Sequence, residues 1–144
     1  MKRYNFAFGS VLRVRKIAEE QARSALLSTQ AEADRATAEL ESRLADIGAA
    51  LPLPGKRTSS DFLADRENLD RHRLAVLAAR SAEANALELV GAAHLEWVDA
   101  ARQVRALERL DDKKRSEWTL ETTRAAQLIT DEIATTRYRS DRTS

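Results

Sequence analysis

The sequence predicts an all-α fold, a long antiparallel two-helix coiled-coil hairpin whose second helix extends beyond the first. Three observations predict it. The 144 residues include only 4 glycines and 2 prolines, and half of these helix breakers fall in one tetrapeptide, "PLPG", at Pro52 to Gly55. Charged residues make up 33% and aromatics 5%, and there are 26 alanines, the composition of long helices and coiled coils. Apolar or small residues recur at helical spacing on both sides of the break. No aromatic or β-branched run marks a strand. The expected organisation is a single coiled-coil domain over 1–144, with helix one at about 10–51, a turn at 52–60 and helix two at about 61–138.

The first helix is expected to start at Ser10, a plausible N-cap. A stripe then runs through Val11, Val14, Ala18, Ala22, Ala25, Thr29, Ala33, Ala36, Leu40, Leu44, Ile47 and Leu51. Its spacing is that of an eleven-residue repeat, about 3.67 residues per turn, which favours a nearly straight pair over a tight left-handed supercoil. Between these positions lie mostly Glu, Arg, Gln, Asp and Ser, as a solvated face requires. At Pro52 and Pro54 the helix has to stop, because each proline lacks an N–H and pushes the residue before it out of the α region. Gly55 is expected to permit a tight reversal. Ser59 or Ser60 is the expected cap of the second helix, with Asp61 favourable in its first turn.

The second helix carries Phe62, Leu69, Val76, Leu77, Leu87, Val90, Trp97, Ala101, Val104 and Leu107 as its apolar positions. A fold at residue 55 places Val14 opposite Trp97, and Ala18, Ala22 and Ala25 near Leu87 and Val90. Beyond Leu107 the second helix has no expected partner. A further face nevertheless recurs there at Trp118, Thr122, Ala125, Ile129, Ile133 and Thr136, flanked by Arg124, Arg137 and Arg139. Its large side chains imply a missing partner.

Charge and motifs exclude most chemistry. The net charge is +1, from 24 basic and 23 acidic residues, so there is no general drive towards nucleic acid or an anionic membrane. There is no cysteine, hence no disulfide scaffold and no thiolate metal site. No nucleotide-binding, metalloprotease or nucleophile-elbow motif is present. His72 and His94 are too far apart on one helix to share an ion, and Glu19–Glu20 and Asp111–Asp112 read as surface charge. Two helices side by side offer no water-excluding pocket in which to tune an acid and a base. No enzymatic activity, cofactor or metal is expected. The opening "MKRYNFAFGSVLRVRK" lacks the apolar core of a signal peptide, and no apolar run approaches about 18 residues. A soluble, cytoplasmic protein is expected. Lys2, Arg3, Arg13, Arg15 and Lys16, with Tyr4, Phe6 and Phe8, form a basic and aromatic terminus without an acid before Glu19. An acidic protein surface is the favoured partner for it, ahead of nucleic acid, membrane or plain solvent.

The order of segments resembles a family. "KRYNFAF" leads into "VLRVRKIAEEQAR"; the break follows near residue 55; "VRALERLDDKKRSEW" comes late in the second helix and "DEIATTRY" near the end. This resembles the FliJ family of flagellar type III export proteins over the whole chain. The resemblance implies a non-enzymatic stalk-like coiled coil whose open end docks in the hexameric export ATPase and stimulates it. On this chain that end carries Arg13, Arg15, Trp118, Arg124, Ile129 and Ile133. It also implies contact with the cytoplasmic domain of the export gate through the start of helix two, where His72 and Arg73 resemble a His-Arg pair of some members and Phe62 and Leu69 lie close to other contact positions, and an escort role towards export chaperones. Attachment to the inner face of the cell membrane is then through partners alone. The alternative is a generic coiled-coil adaptor or tether, or the equivalent stalk of a virulence-type secretion system.

Overall fold

The computed structural model describes residues 3–142. Two helices account for nearly all of them: α1, Gly9–Ala50, and α2, Ser59–Arg142, packed against each other as an all-α antiparallel hairpin. Among the described residues there is no strand. The chain divides into two compact units, a terminal unit of Met1–Ile17 with Ala101–Ser144 and a loop unit of Ala18–Ala100.

In the loop unit, the covered positions of α1 are centred on Glu19, Ala22, Leu26, Thr29, Ala33, Ala36, Leu40, Ile47 and Ala50, with Ala18, Thr37 and Asp46 half-buried beside them. Those of α2 are centred on Leu69, His72, Val76, Ala79, Glu83, Ala86, Val90, Ala93, Trp97 and Ala100, with Asp65, Asn68, Ala75 and Val98 half-buried beside them. Both sets alternate steps of three and four, so the seam repeats every 3.5 residues or so, the coiled-coil heptad. This corrects the longer repeat read from the sequence. Ala25 and Leu44 are exposed where the longer repeat buried them, and Leu26 takes the core position instead. Leu77 and Leu87 likewise face solvent. The seam is thin. Among the described residues the buried apolar ones are Leu26, Ala33, Val76, Ala79, Ala93 and Val104, and half of them are alanine. Helix propensity, highest for alanine, and i,i+4 pairs such as Glu19–Arg23 and Glu39–Arg43 supply much of what the core does not.

Two polar contacts cross this seam. The Trp97 indole N–H donates to Glu19 Oε1 at 2.8 Å, and the Thr37 hydroxyl donates to Glu83 Oε1 at 2.9 Å. They shift the pairing from the expected register: Trp97 meets Glu19, more than a turn further along α1 than Val14. Carried to the loop end, this register brings Ala50 level with residues near Leu69. The first two turns of α2 therefore extend past the end of α1, and residues 51–58 run back along them. Pro52 lies beside Phe62, Asp65 and Leu69 at a shallow groove of about 220 Å³, and Arg57 pairs with Asp65. The reversal is a strap, and the expected role of Gly55 in a tight turn is not needed. No glycine has a positive φ, and a Cβ on Gly55 would meet nothing within 4 Å.

The helix starts also differ from expectation. α1 begins at Gly9, with the Leu12 N–H donating to the Phe8 carbonyl at 2.9 Å, so Ser10 is not its cap. α2 is capped by Thr58. The Asp61 N–H donates to Thr58 Oγ1 at 3.2 Å and the Thr58 N–H to Asp61 Oδ2 at 3.1 Å, a reciprocal capping box one residue ahead of the expected serines. These bonds hold the Asp61 carboxyl below its ordinary pKa.

Two outcomes follow. Leu26→Ala removes one of the few large buried side chains and should cost about 2–5 kcal/mol, whereas Leu44→Ala, at a side chain 44% exposed, should cost far less, both read by chemical denaturation. The hydrogen bond from Trp97, and then that from Arg23, hold Glu19 below the ordinary carboxylate value of 4.5. A depressed folded-state pKa means stability present above that ordinary value and lost as pH falls through the depressed one. The wild-type melting temperature should therefore drop more steeply on acidification than that of Glu19→Gln.

Candidate docking surfaces

The terminal unit is built around an extended arm ahead of α1. Residues 3–6 have no regular structure, and α1 starts only after a turn at Ala7 and Phe8. Alanine-poor, with three aromatics, this segment has side chains too large for the smooth seam and lies instead on the late part of α2. The Tyr4 hydroxyl donates its proton to Asp111 Oδ1 at 2.6 Å, with the Asp111 carbonyl at 3.1 Å. Its ring meets Trp118 at 5.9 Å between centroids, tilted by 57°, and the Arg115 guanidinium lies 5.4 Å from the ring centre. Arg115 also reaches Asp111 Oδ2 at 3.4 Å, and Lys16 pairs with Glu108 at 3.1 Å. Asp111 holds a seam position, seven residues along from Val104 and four from Leu107, and its side chain is only 19% exposed. A carboxylate so placed needs donors, and Tyr4 and Arg115 are those donors.

Around this clasp a groove of about 360 Å³ opens between the arm and α2, lined by Phe6, Phe8, Leu110, Lys114, Glu117 and Trp118. Phe6 and Phe8 contact each other edge-on at 5.8 Å. Lys114 bonds Glu117 at 2.8 Å, which raises the lysine pKa and lowers that of the glutamate. Desolvation, and then the hydrogen bond to Asp111, push the Tyr4 phenol up from 10.0 to about 12.

The cover stops there. Every described side chain from Thr123 to Arg139 is exposed, including Ile129 at 59% and Ile133 at 51%. The sequence-derived set thus falls into parts with different surroundings. Trp118 is half-buried under Tyr4, so the expectation that it stands bare with the isoleucines is corrected: the arm, absent from the sequence reading as a structural element, takes it. Arg124, Ile129 and Ile133 remain exposed on α2, and Arg13 and Arg15 on the first turns of α1. Lys2 lies outside the described residues. Asp111, which had read as surface charge, was signalled by its seam position, a cue visible only once the heptad repeat is in phase.

The second set belongs to the loop unit. Phe62 is 63% exposed, Leu69 and His72 are half-buried, and Arg73 is exposed with Asp70 at 3.5 Å. With Pro52 and Leu53, which is 80% exposed, Phe62 and Leu63 give the strap an apolar surface. His94 lies beside Trp97 at 5.9 Å and is remote from this set in sequence. Among the described residues no cluster of His, Cys, Asp or Glu is arranged to hold a metal ion, and no helix is long and apolar enough to cross a membrane.

A family model described as the flagellar FliJ protein matches residues 4–143. The chain belongs to the FliJ family. The match runs from the clasping Tyr4 through the bare helix beyond Thr122. No curated protein and no solved structure matches the chain. As a FliJ-family member it is a component of flagellar protein export, and the family is a non-catalytic one.

The clasp has a spectroscopic outcome. In a Tyr138→Phe chain the remaining tyrosine should ionise near pH 12 rather than near 10, followed by tyrosinate absorbance. Asp111→Asn removes the carboxylate that opposes the phenolate and should bring that titration down towards the ordinary value.

Proposed function

We propose that this FliJ-family chain is the stalk-like coiled coil of the export apparatus: it docks in the hexameric export ATPase, raises its turnover and contacts the cytoplasmic domain of the export gate. The observation that carries the docking part is the apolar face of α2 beyond Thr122, bare in its own chain although it holds Ile129 and Ile133. Arg13, Arg15 and Arg124 add positive charge in the same unit, suited to acidic residues lining a pore, where complementary charge speeds association more than it tightens it. Trp118 anchors the arm and holds the aromatic terminus beside this face. For the gate, Phe62, Leu69, His72 and Arg73 supply a mixed apolar and cationic surface next to the strap. A rigid hairpin does its work by presenting such surfaces and transmitting position. Escort of export chaperones and attachment to the membrane face through these partners belong to the same reading.

Titrating the chain into its cognate export ATPase should increase ATP turnover. Ile129→Ser with Ile133→Ser should abolish the increase while leaving helix content and melting of the isolated chain nearly unchanged. Phe62→Ala with His72→Ala should instead weaken capture by the gate domain and spare the ATPase effect. Independent binding to the ATPase with no change in turnover at saturation would make the chain a plain tether.

A further inference from the structure

The bare face of α2 has an internal symmetry that the docking reading does not use. Up to Trp118 the seam positions of α2 in the terminal unit, Val104, Leu107, Asp111 and Trp118, keep the heptad phase, with flanking residues such as Glu108 and Leu110 half-buried beside them. Continued, that phase falls on Glu121, Ala125, Leu128, Glu132, Thr135 and Arg139, half of them charged. The apolar face instead moves to Thr122, Ala125, Ile129, Ile133 and Thr136, so it is not a prolongation of the hairpin seam. Its spacing is palindromic about Ile129. Ala125 and Ile133 stand four residues to either side, and Thr122 and Thr136 seven. An isologous contact needs this placement, since each residue must meet its counterpart in both directions; an unrelated partner imposes no such symmetry.

We propose that two copies of the chain pair antiparallel through residues 122–136, about a two-fold axis at Ile129. The layers are then Ile129 on Ile129, Ala125 on Ile133 and Thr122 on Thr136, with small side chains facing large ones. The flanks select this direction. At 100° per residue Glu121, Leu128 and Arg139 lie on one side of the face. A two-fold axis across antiparallel helices brings that same side of both copies together. Each Glu121 then meets Arg139 of the second copy, and the two Leu128 side chains, 69% exposed in the single chain, meet between these pairs. A parallel pair would put this side of the two copies on opposite flanks, so that neither the Glu121–Arg139 pairs nor the Leu128 contact could form. The arm reaches only as far as Glu121, so residues 123–136 are exposed, with Thr122 half-buried at their edge. Thr122 to Thr136 spans about 21 Å. Such a contact falls below the roughly 1,200 Å² of a standard interface, which makes the dimer weak and quickly exchanging. A second copy is thus a cover that another partner can displace.

The test needs the full chain alone, without any export component, so its failure is separate from failure of the docking reading. The sequence has no cysteine. A Thr122→Cys chain mixed with a Thr136→Cys chain at high micromolar concentration under mild oxidation should form the mixed disulfide, and neither chain alone should form its own. Sedimentation should show the wild-type mass rising towards twice 16.1 kDa between micromolar and millimolar concentration, and Ile129→Asp remaining single. Glu121→Arg or Arg139→Glu should each weaken the dimer at least about threefold, and the double reversal should restore it. Self-disulfides at Thr122→Cys, a single-chain mass throughout, or a double reversal no tighter than its single parents would each overturn the proposal.

Discussion

The hairpin depends on its register, and its register depends on two polar contacts across an otherwise smooth seam. An alanine-rich seam is nearly periodic. Sliding α1 by a heptad along α2 replaces small residues by small residues and changes the buried area little. Burial alone, at about 25 cal/mol per Å², then discriminates poorly between neighbouring registers. The Trp97 indole and the Glu19 carboxylate do discriminate. Both are largely withdrawn from water, Glu19 to 14% exposure, and a slip would leave the indole without a partner and Glu19 with Arg23 alone. An unmet buried donor or acceptor carries its full desolvation cost. Thr37 and Glu83 act in the same way nearer the loop. One polar residue in a coiled-coil core commonly sets register at some expense of stability, and here it is needed because the apolar residues are too uniform to do so.

The same point explains what the sequence revealed and what it hid. The two helices, their antiparallel return and the long second arm were legible because Pro52 and Pro54 act locally, through a missing N–H and a restricted neighbour. The phase of the seam was not. A stripe through Val11, Val14 and Ala25 and one through Leu12 and Leu26 differ by a single residue, and among so many alanines both look apolar. The structure resolves them because Leu26 is buried and Val14 is 63% exposed. The pairing offset was hidden for a related reason. The breakers centre the fold near residue 55, whereas the strap lies wholly along α2, held by the Arg57–Asp65 pair. Thr58 escaped notice as a cap because three candidate hydroxyls stand in a row, and only the reciprocal bonds with Asp61 choose among them.

At the termini the sequence showed which residues are unusual without showing how they meet. Tyr4 and Asp111 look unremarkable separately. Joined, they convert a basic, aromatic tail into a fixed element with its own groove, and they remove Trp118 from the exposed face. The terminal unit therefore has an aromatic part already satisfied within the chain and an aliphatic part, around Ile129 and Ile133, that is not. Binding at the second part does not require the first to open.

The clasp also has a place in time. Tyr4 and Asp111 are separated by 107 residues. A ribosome working at about 5–20 residues per second releases the second roughly 5–20 s after the first. Throughout that interval Tyr4, Phe6 and Phe8 are bare, with the late part of α2 not yet available to receive them. Helix–coil relaxation takes far less than a second, and α1 has no partner helix while α2 is being made. Until the residues around Asp111 emerge nothing in the hairpin covers these rings, so closure of the arm can only follow their synthesis.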